Sequence, residues 1–265
     1  MIAAVSSAAA ETRFAPHQAA YSVTRGESQI GRVEVELHQR EDGLWHYRLE
    51  SLATAWYVRL LGVSATESAW FAWRDGELLP LTYHHVSREP GRDRYWQHRY
   101  DWQRGVTETR THAGELEIPL SEGLVDPLTL RLAAIQRIRG QAPAFESFEL
   151  SVIERDEVER QAYRFVRTES IEVAGRCYRT AVFKRFRKPG SSRNYTAWHA
   201  SELDWMPVRI AHEDDGKAIT LSLESWNSDG TRLPPTGSCP NDPPDESGTA
   251  VDPRAAGTES PSALR

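Results

Sequence analysis

The sequence lacks any apolar run near the roughly 20 residues that a transmembrane helix needs, so the protein is predicted not to be integral to a membrane as a helix. Cysteine is scarce: Cys177 and Cys239 are the two present, too few for a zinc motif. An oxidising compartment would allow them to pair, but Cys239 lies in a Pro-rich segment. The sequence therefore leaves open a disulfide or two free thiols.

Lysine is also rare. Three lysines (Lys184, Lys188 and Lys217) stand among 32 basic residues, which leaves 29 Arg, and the formal net charge is −6. Arg alternates with Glu along the chain and does not concentrate on one face. This pattern argues against a nucleic-acid partner, since such proteins usually present a basic patch or stripe.

Common catalytic and cofactor-binding motifs are missing as well. The sequence contains no G-x-S-x-G, no G-x-x-x-x-G-K-[ST], no G-x-G-x-x-G and no H-E-x-x-H. His84 and His85 are adjacent on a predicted strand, so they point to opposite faces and cannot chelate one metal together. His46, His98 and His112 lie in polar surroundings and are predicted to be solvent-exposed. The sequence therefore assigns no catalytic residue, no cofactor and no metal, and it favours a protein that is not an enzyme.

Hydrophobic residues recur with period two over most of the chain. Val33, Val35 and Leu37, for example, alternate with polar residues, which is typical of an antiparallel sheet with one wet face. Turn motifs such as Glu41-Asp42-Gly43 separate these runs at short intervals and favour a meander that closes into a barrel or sandwich. The predicted fold class is all-β and mainly antiparallel: a barrel-like or strongly curved meander sheet with one helix and a disordered C-terminal tail.

One helix divides about seven predicted strands from about seven more. Asp126 is a suitable N-cap, Pro127 suits the first helical position, and Gly140 suits a left-handed C-terminal position. The helix is predicted to plug or cover the sheet with a single apolar stripe, formed by Leu128, Leu132, Ile135 and Ile138.

Both ends of the chain differ in composition from the rest. Residues 1–10 end in Ala8-Ala9-Ala10, a small-residue cleavage motif, and cleavage is expected before Glu11. We interpret residues 1–10 as the end of a signal peptide that starts upstream, which predicts a periplasmic or secreted protein; the alternative is an Ala-rich start without a targeting role. Residues 11–227 are predicted to form the β-rich domain. Residues 228–265 are rich in Pro, Gly and Ser and are predicted to be disordered.

Two segments offer candidate ligand contacts. Residues 56–63 form the least polar stretch after the cleavage motif and break the strand alternation, so they are predicted to be a short helix or a loop over the mouth of the barrel. Residues 184–188 form a basic hairpin tip that suits an anionic headgroup, although such tips are usually only solvated. The candidate ligand-facing residues are Trp56, Tyr57, Leu60, Leu61, Arg185, Arg187 and Lys188.

The order of several short motifs resembles the exported bacterial family called domain of unknown function 3108. The resemblance covers about residues 14–226, and the motifs include Tyr21-Ser22-Val23, the segment 76–83, Asp126-Pro127-Leu128-Thr129 and Pro207-Val208-Arg209-Ile210. It implies a periplasmic or secreted β protein and supplies no catalytic residues.

Three hypotheses for function follow. The leading one is a non-enzymatic envelope protein that binds or carries an apolar or amphipathic ligand, such as a lipid or glycan, because barrel mouths are common ligand sites. The first alternative is a protein–protein interaction module in envelope or polysaccharide assembly. The second is a hydrolase whose site is assembled from distant strands. An interior cavity would favour the first, an exposed apolar patch the second, and a cleft with paired, perturbed acids the third.

Overall fold

A computed structural model describes residues 14–55, 62–74, 76–186, 194–214, 217–229 and 233–239. The predicted end of a signal peptide lies outside these residues, as does the C-terminal part of the predicted tail, residues 240–265.

The described chain forms fourteen strands. The first eight are β1 (His17–Arg25), β2 (Ser28–Gln39), β3 (Trp45–Ala53), β4 (Ser64–Arg74), β5 (Glu77–Glu89), β6 (Arg92–Asp101), β7 (Val106–Thr111) and β8 (Gly114–Pro119). Helix α1 (Thr129–Gln141) follows. The remaining six are β9 (Phe148–Glu154), β10 (Glu157–Val173), β11 (Arg176–Phe186), β12 (Asn194–Ala200), β13 (Met206–Asp214) and β14 (Lys217–Ser228), with a short 3-10 turn at Ser201–Leu203.

All fourteen strands belong to one antiparallel sheet. Its order runs from β8 back to β1, then from β14 back to β9. The two meanders are joined where β1 pairs with β14, from His17↔Ser228 to Arg25↔Ile219. Strands β8 and β9 are the edges, and no ladder joins them in the part of the chain that the structure describes. The predicted antiparallel meander is therefore confirmed, and the sheet stays open.

Period-two alternation separates the two faces of the sheet. On β2, Val33, Val35 and Leu37 are buried on the inner face. Arg32, directly before Val33, points to the outer face, where its Nη1 lies 2.7 Å from Glu224 Oε2. Such solvated Arg–Glu pairs recur on the outer face and each contributes little to stability.

The helix is buried inside the curved sheet. Leu128, Leu132 and Ile135 belong to a core that includes residues of both meanders, such as Tyr47 of β3 and Val208 of β13. All four residues of the predicted stripe are buried. However, Ile138 packs in a second core with Leu130 and Ala134, so the helix is buried on more than one side and not along a single stripe. Because strands from both meanders pack around one helix, the inner face of the sheet is concave.

Asp126 caps the helix as predicted. Its Oδ1 accepts hydrogen bonds from the backbone N–H groups of Leu128 at 2.9 Å and Thr129 at 2.8 Å. The prediction for Gly140 is wrong: the helix continues to Gln141, and Ala142 ends it with φ −59° and ψ 135°. The reason is Pro143, because a residue before proline is forced out of the helical region.

The period-two pattern predicts one strand over residues 158–167, another over residues 170–173 and none over residues 114–119, and the structure corrects both points. Strand β8 gives a weak local signal because it has six residues and ends in a proline; Pro is tolerated there because β8 is an edge strand. Strand β10 is continuous from Glu157 to Val173. A register shift between Phe165 and Arg167 lets the strand continue through its polar middle.

Residues 233–239 are attached to the domain. A disulfide joins Cys177 to Cys239, which resolves the pairing that the sequence left open. Gly237 N–H donates to Gly175 O at 2.8 Å, and Leu233 packs against the core. The predicted start of the tail at residue 228 therefore has to move, since this stretch belongs to the folded domain.

Among the described residues, no helix is long and apolar enough to span a bilayer.

Candidate functional site

A cavity of about 190 Å³ lies between helix α1 and the concave face of the sheet. Strands β1 to β3 provide one wall, β10 to β14 provide the other, and α1 lies between them. Aliphatic and aromatic side chains predominate in the lining. The lining residues are Tyr21, Val33, Val35, Tyr47, Leu49, Arg131, Ala134, Ile135, Tyr163, Phe183, Arg185, Tyr195, Ala197, His199, Met206, Pro207, Ile210, His212 and Leu221.

Two arginines line this apolar cavity. Arg131 lies on α1 one turn after Leu128 and one turn before Ile135, so it shares the buried side of the helix. Arg185 lies on β11 two residues after the buried Phe183, on the same face, whereas Lys184 between them is exposed. Helical and strand periodicity therefore direct both guanidinium groups inwards.

Arg131 is held by an ion pair with Glu67 on strand β4. Its Nη2 lies 3.2 Å from Glu67 Oε1, and the Tyr83 hydroxyl donates to Glu67 Oε2 at 2.8 Å. Burial alone would lower the pKa of Arg131, but the Glu67 carboxylate and nearby tyrosines, including Tyr47, together outweigh it and raise that pKa. The guanidinium is therefore charged, and 37% of the side-chain surface remains accessible.

Arg185 has aromatic partners. Its guanidinium carbon lies 4.0 Å from the centre of the Tyr195 ring, a cation–π contact. It also forms a hydrogen bond with Tyr163; burial raises the pKa of Tyr163, although the charge of Arg185 and this bond oppose the rise. The Nε of Arg185 is buried without a hydrogen-bond partner, and no carboxylate in the described chain pairs with this guanidinium.

Three other polar groups of the lining are neutral or already paired. The Tyr21 hydroxyl donates to Pro207 O at 2.9 Å. Burial raises the pKa of Tyr47 to about 12. Burial also lowers the pKa of His199 to about 4, against the opposing effect of its hydrogen bond with Trp205 O, so this imidazole is uncharged at neutral pH. Arg131 and Arg185 each bring a positive charge to the lining.

A second buried acid, Asp126, is committed to the helix. Burial raises the pKa of Asp126 to about 6, opposed by its hydrogen bonds to Thr129 and Leu128 and reinforced by Glu67. Its Oδ2 accepts from the Thr129 hydroxyl at 2.7 Å, so both carboxylate oxygens serve the cap, and Asp126 does not line the cavity. In the described chain, no group of three or more His, Cys, Asp or Glu is placed to hold a metal ion. The geometry suits binding of a molecule with an apolar part and an acceptor group.

The structure brings one of the predicted ligand-facing residues, Arg185, into the cavity lining. The other six candidates lie outside the described residues: Trp56, Tyr57, Leu60, Leu61, Arg187 and Lys188. Sequence reasoning missed Arg131, although a charged residue between Leu128 and Leu132 on an apolar stripe was a usable signal.

The expected exposure of His98 is wrong. This residue is fully buried, its Nδ1 lies 3.0 Å from Thr109 Oγ1, and its ring stacks on Tyr83 at 5.6 Å. Burial lowers its pKa to about 3. The local pattern misled because polar residues of neighbouring strands pair with one another on the inner face.

These features define a class: a β-barrel-like protein with an open curved sheet, one enclosed helix and an interior cavity. The chain belongs to the family described as "Protein of unknown function (DUF3108)", which matches residues 20–224. The resemblance inferred from the sequence motifs is therefore confirmed.

One solved structure shares the fold, and a second is a weaker match. The β-barrel-like DUF1849 protein of Brucella abortus aligns with a TM-score of 0.54 and 10% identity, over 83% of this chain and all of that chain. A Pseudomonas aeruginosa MucA/MucB complex aligns with a TM-score of 0.32 and 14% identity, over 83% of this chain and 54% of that chain. No curated protein matches the sequence. At 10% identity, the likeness to the DUF1849 protein shows the fold alone, so function has to be argued from the cavity.

Proposed function

We propose that this protein is an exported, non-enzymatic binder or carrier of an apolar or amphipathic envelope molecule, held between α1 and the concave face of the sheet. The observation that carries the proposal is the cavity itself, which both meanders and the helix line with mainly apolar side chains. Concave, mostly apolar sites with a few polar groups are the usual form of small-molecule sites.

The size of the cavity limits what can be enclosed. Its 190 Å³ is below the roughly 300–1,000 Å³ usual for sites of drug-sized ligands. The cavity therefore encloses one end of a longer molecule or a small ligand. Burying about 200 Å² of apolar ligand surface contributes about 5 kcal/mol, which is close to the low end of the cost of association, so binding also needs polar contacts or apolar contacts outside the cavity.

Two observations support export. The disulfide between Cys177 and Cys239 is of a kind that persists in oxidising compartments and is rare in the cytosol. The sequence Ala8-Ala9-Ala10 fits a signal-peptide cleavage motif. A periplasmic or secreted location would place the protein beside lipids and glycans of the envelope.

A cavity-filling substitution tests the proposal. Ala197 lines the cavity, and Ala197→Phe places a ring in it; Ala218→Phe, at an exposed position of β14, is the matched control. Binding of an environment-sensitive fatty-acid probe should give a fluorescence increase in the wild type and in Ala218→Phe, and a weakened response in Ala197→Phe. Equal responses in all three proteins would show that the probe does not bind in this cavity. A wild type that ignores the probe and a lipid panel would make the protein–protein interaction module the hypothesis to test next.

A further inference from the structure

We infer that the ligand of this cavity carries an oxyanion, a carboxylate or phosphate group, which Arg185 binds together with Arg131. The inference rests on the proposed function and deepens it by naming the chemical class of the ligand. It rests on the placement of two guanidinium groups in one apolar cavity, on the unpaired Nε of Arg185 and on the fixed position of Arg131.

Arg185 is an incompletely satisfied donor. Its Nε is buried without a hydrogen-bond partner, whereas the great majority of buried polar atoms in proteins have one. The Tyr195 ring and Tyr163 hold the side chain in place but do not neutralise its charge. A partly buried cation without a counter-charge is costly, so an anion that enters the cavity gains at Arg185 a partner that no described carboxylate supplies.

Arg131 is fixed before any ligand arrives. Glu67 contacts its Nη2 and is itself held by the Tyr83 hydroxyl, so the side chain is positioned at little further entropic cost. Part of its surface remains accessible. Glu67 is not part of the cavity lining, so Arg131 presents a positive charge to the cavity while its carboxylate partner stays behind it.

Both groups favour an oxyanion over other acceptors. Guanidinium forms paired hydrogen bonds with carboxylate and phosphate in a geometry that neutral oxygens do not match. A cationic ligand would meet two like charges in an apolar wall, and a purely apolar ligand would leave Arg185 Nε unpaired. The apolar remainder of the lining suits a hydrocarbon chain attached to that oxyanion.

The test is calorimetric titration of the full chain with four ligands: decanoate, decyl phosphate, decanol and inorganic phosphate. Decanoate or decyl phosphate should bind at least about tenfold more tightly than decanol, the scale expected for hydrogen bonds to a charged group. Inorganic phosphate should bind weakly, because it lacks the chain. The order of decanoate and decyl phosphate then tells which oxyanion the site prefers.

Arg185→Gln should lose that preference while its affinity for decanol is kept, and Arg185→Lys should retain part of it. The matched control is Arg48→Gln on the outer face, where Arg48 pairs with Glu50 at 2.8 Å; it should bind like the wild type. Thermal unfolding checks that each variant is folded. If a variant does not fold, salt dependence serves as the second test: decanoate binding by the wild type should weaken as the salt concentration rises. Equal affinity for decanol and the anions, unchanged in Arg185→Gln, would overturn the oxyanion inference and leave the carrier proposal standing. Binding of none of the four would defeat both.

Discussion

Arg131 on the enclosed helix lies 3.2 Å from Glu67 on strand β4, 64 residues away along the chain. This ion pair ties the helix to the first meander inside the sheet. Glu67 also accepts the Tyr83 hydroxyl, so its removal would leave two interior donors without their acceptor.

Glu67→Ala should therefore destabilise the protein by about 2 kcal/mol, the scale for orphaning partly buried polar partners. The matched control is Glu50→Ala on the outer face, which removes the exposed partner of Arg48 and should change the free energy of unfolding by no more than about 0.5 kcal/mol. Urea unfolding measures both. Similar small effects for the two variants would show that the interior pair does not hold the helix.

The helix cap predicts a pH dependence. Burial raises the pKa of Asp126 from 3.8 to about 6, so the folded protein binds this proton more tightly than the unfolded chain does. The contribution of this group to stability is complete below about pH 4 and is lost as the pH rises through about 6, with a slope of at most about 1.4 kcal/mol per pH unit.

Asp126→Asn keeps the Oδ1 acceptor and cannot ionise. The difference in unfolding free energy between wild type and Asp126→Asn should therefore fall between pH 4 and 6, whereas Asp126→Ala should be less stable than Asp126→Asn by about 1 kcal/mol at any pH, because neither variant ionises and Ala lacks the cap acceptor. A difference that rises with pH over this range would mean that the carboxylate is stabilised in its charged form.

The disulfide anchors the segment that follows β14. Cys177→Ser with Cys239→Ser should destabilise the oxidised protein by about 4 kcal/mol, because the bond closes a loop across a separation of 62 residues and restricts the unfolded chain. Truncation after Cys239 should change stability by about 0.5 kcal/mol or less, as expected for a polar terminal segment. A melting temperature that is indifferent to reducing agent would contradict the first expectation.

Export predicts a defined N-terminus. Protein recovered from the envelope should begin at or near Glu11, after Ala8-Ala9-Ala10, and mass spectrometry of the intact protein reads this directly. An unprocessed cytoplasmic form as the sole species would contradict export, and the cavity would then have to be explained by an intracellular ligand.

Local patterns in the sequence identified most elements of the fold. Alternation at positions such as Val33, Val35 and Leu37 predicts strands because one face of the sheet is buried. Asp126 predicts the helix start because its carboxylate can accept hydrogen bonds from the free N–H groups of the first turn. Local patterns cannot show which distant strands meet. The pairing of β1 with β14 depends on packing of the whole chain.

The candidate site depends on the same long-range packing. Arg185 was singled out as part of a basic hairpin tip, whereas its inward direction follows from its position two residues after Phe183. Arg131 and His98 were missed because their partners, Glu67 and Thr109, come from other strands. When each strand is considered alone, a polar residue whose partner lies on another strand is predicted to be exposed even if it is buried.

The central claim is that the cavity between α1 and the sheet holds an amphipathic molecule. Native mass spectrometry of the protein isolated from its own envelope without denaturants tests it most directly. The account predicts a bound mass that is released on unfolding and that proves, by fragmentation, to contain a hydrocarbon chain and an acidic group; Ala197→Phe should carry less of it than Ala218→Phe. Protein that is ligand-free in every preparation, and that stays so after incubation with envelope lipids, would contradict the account.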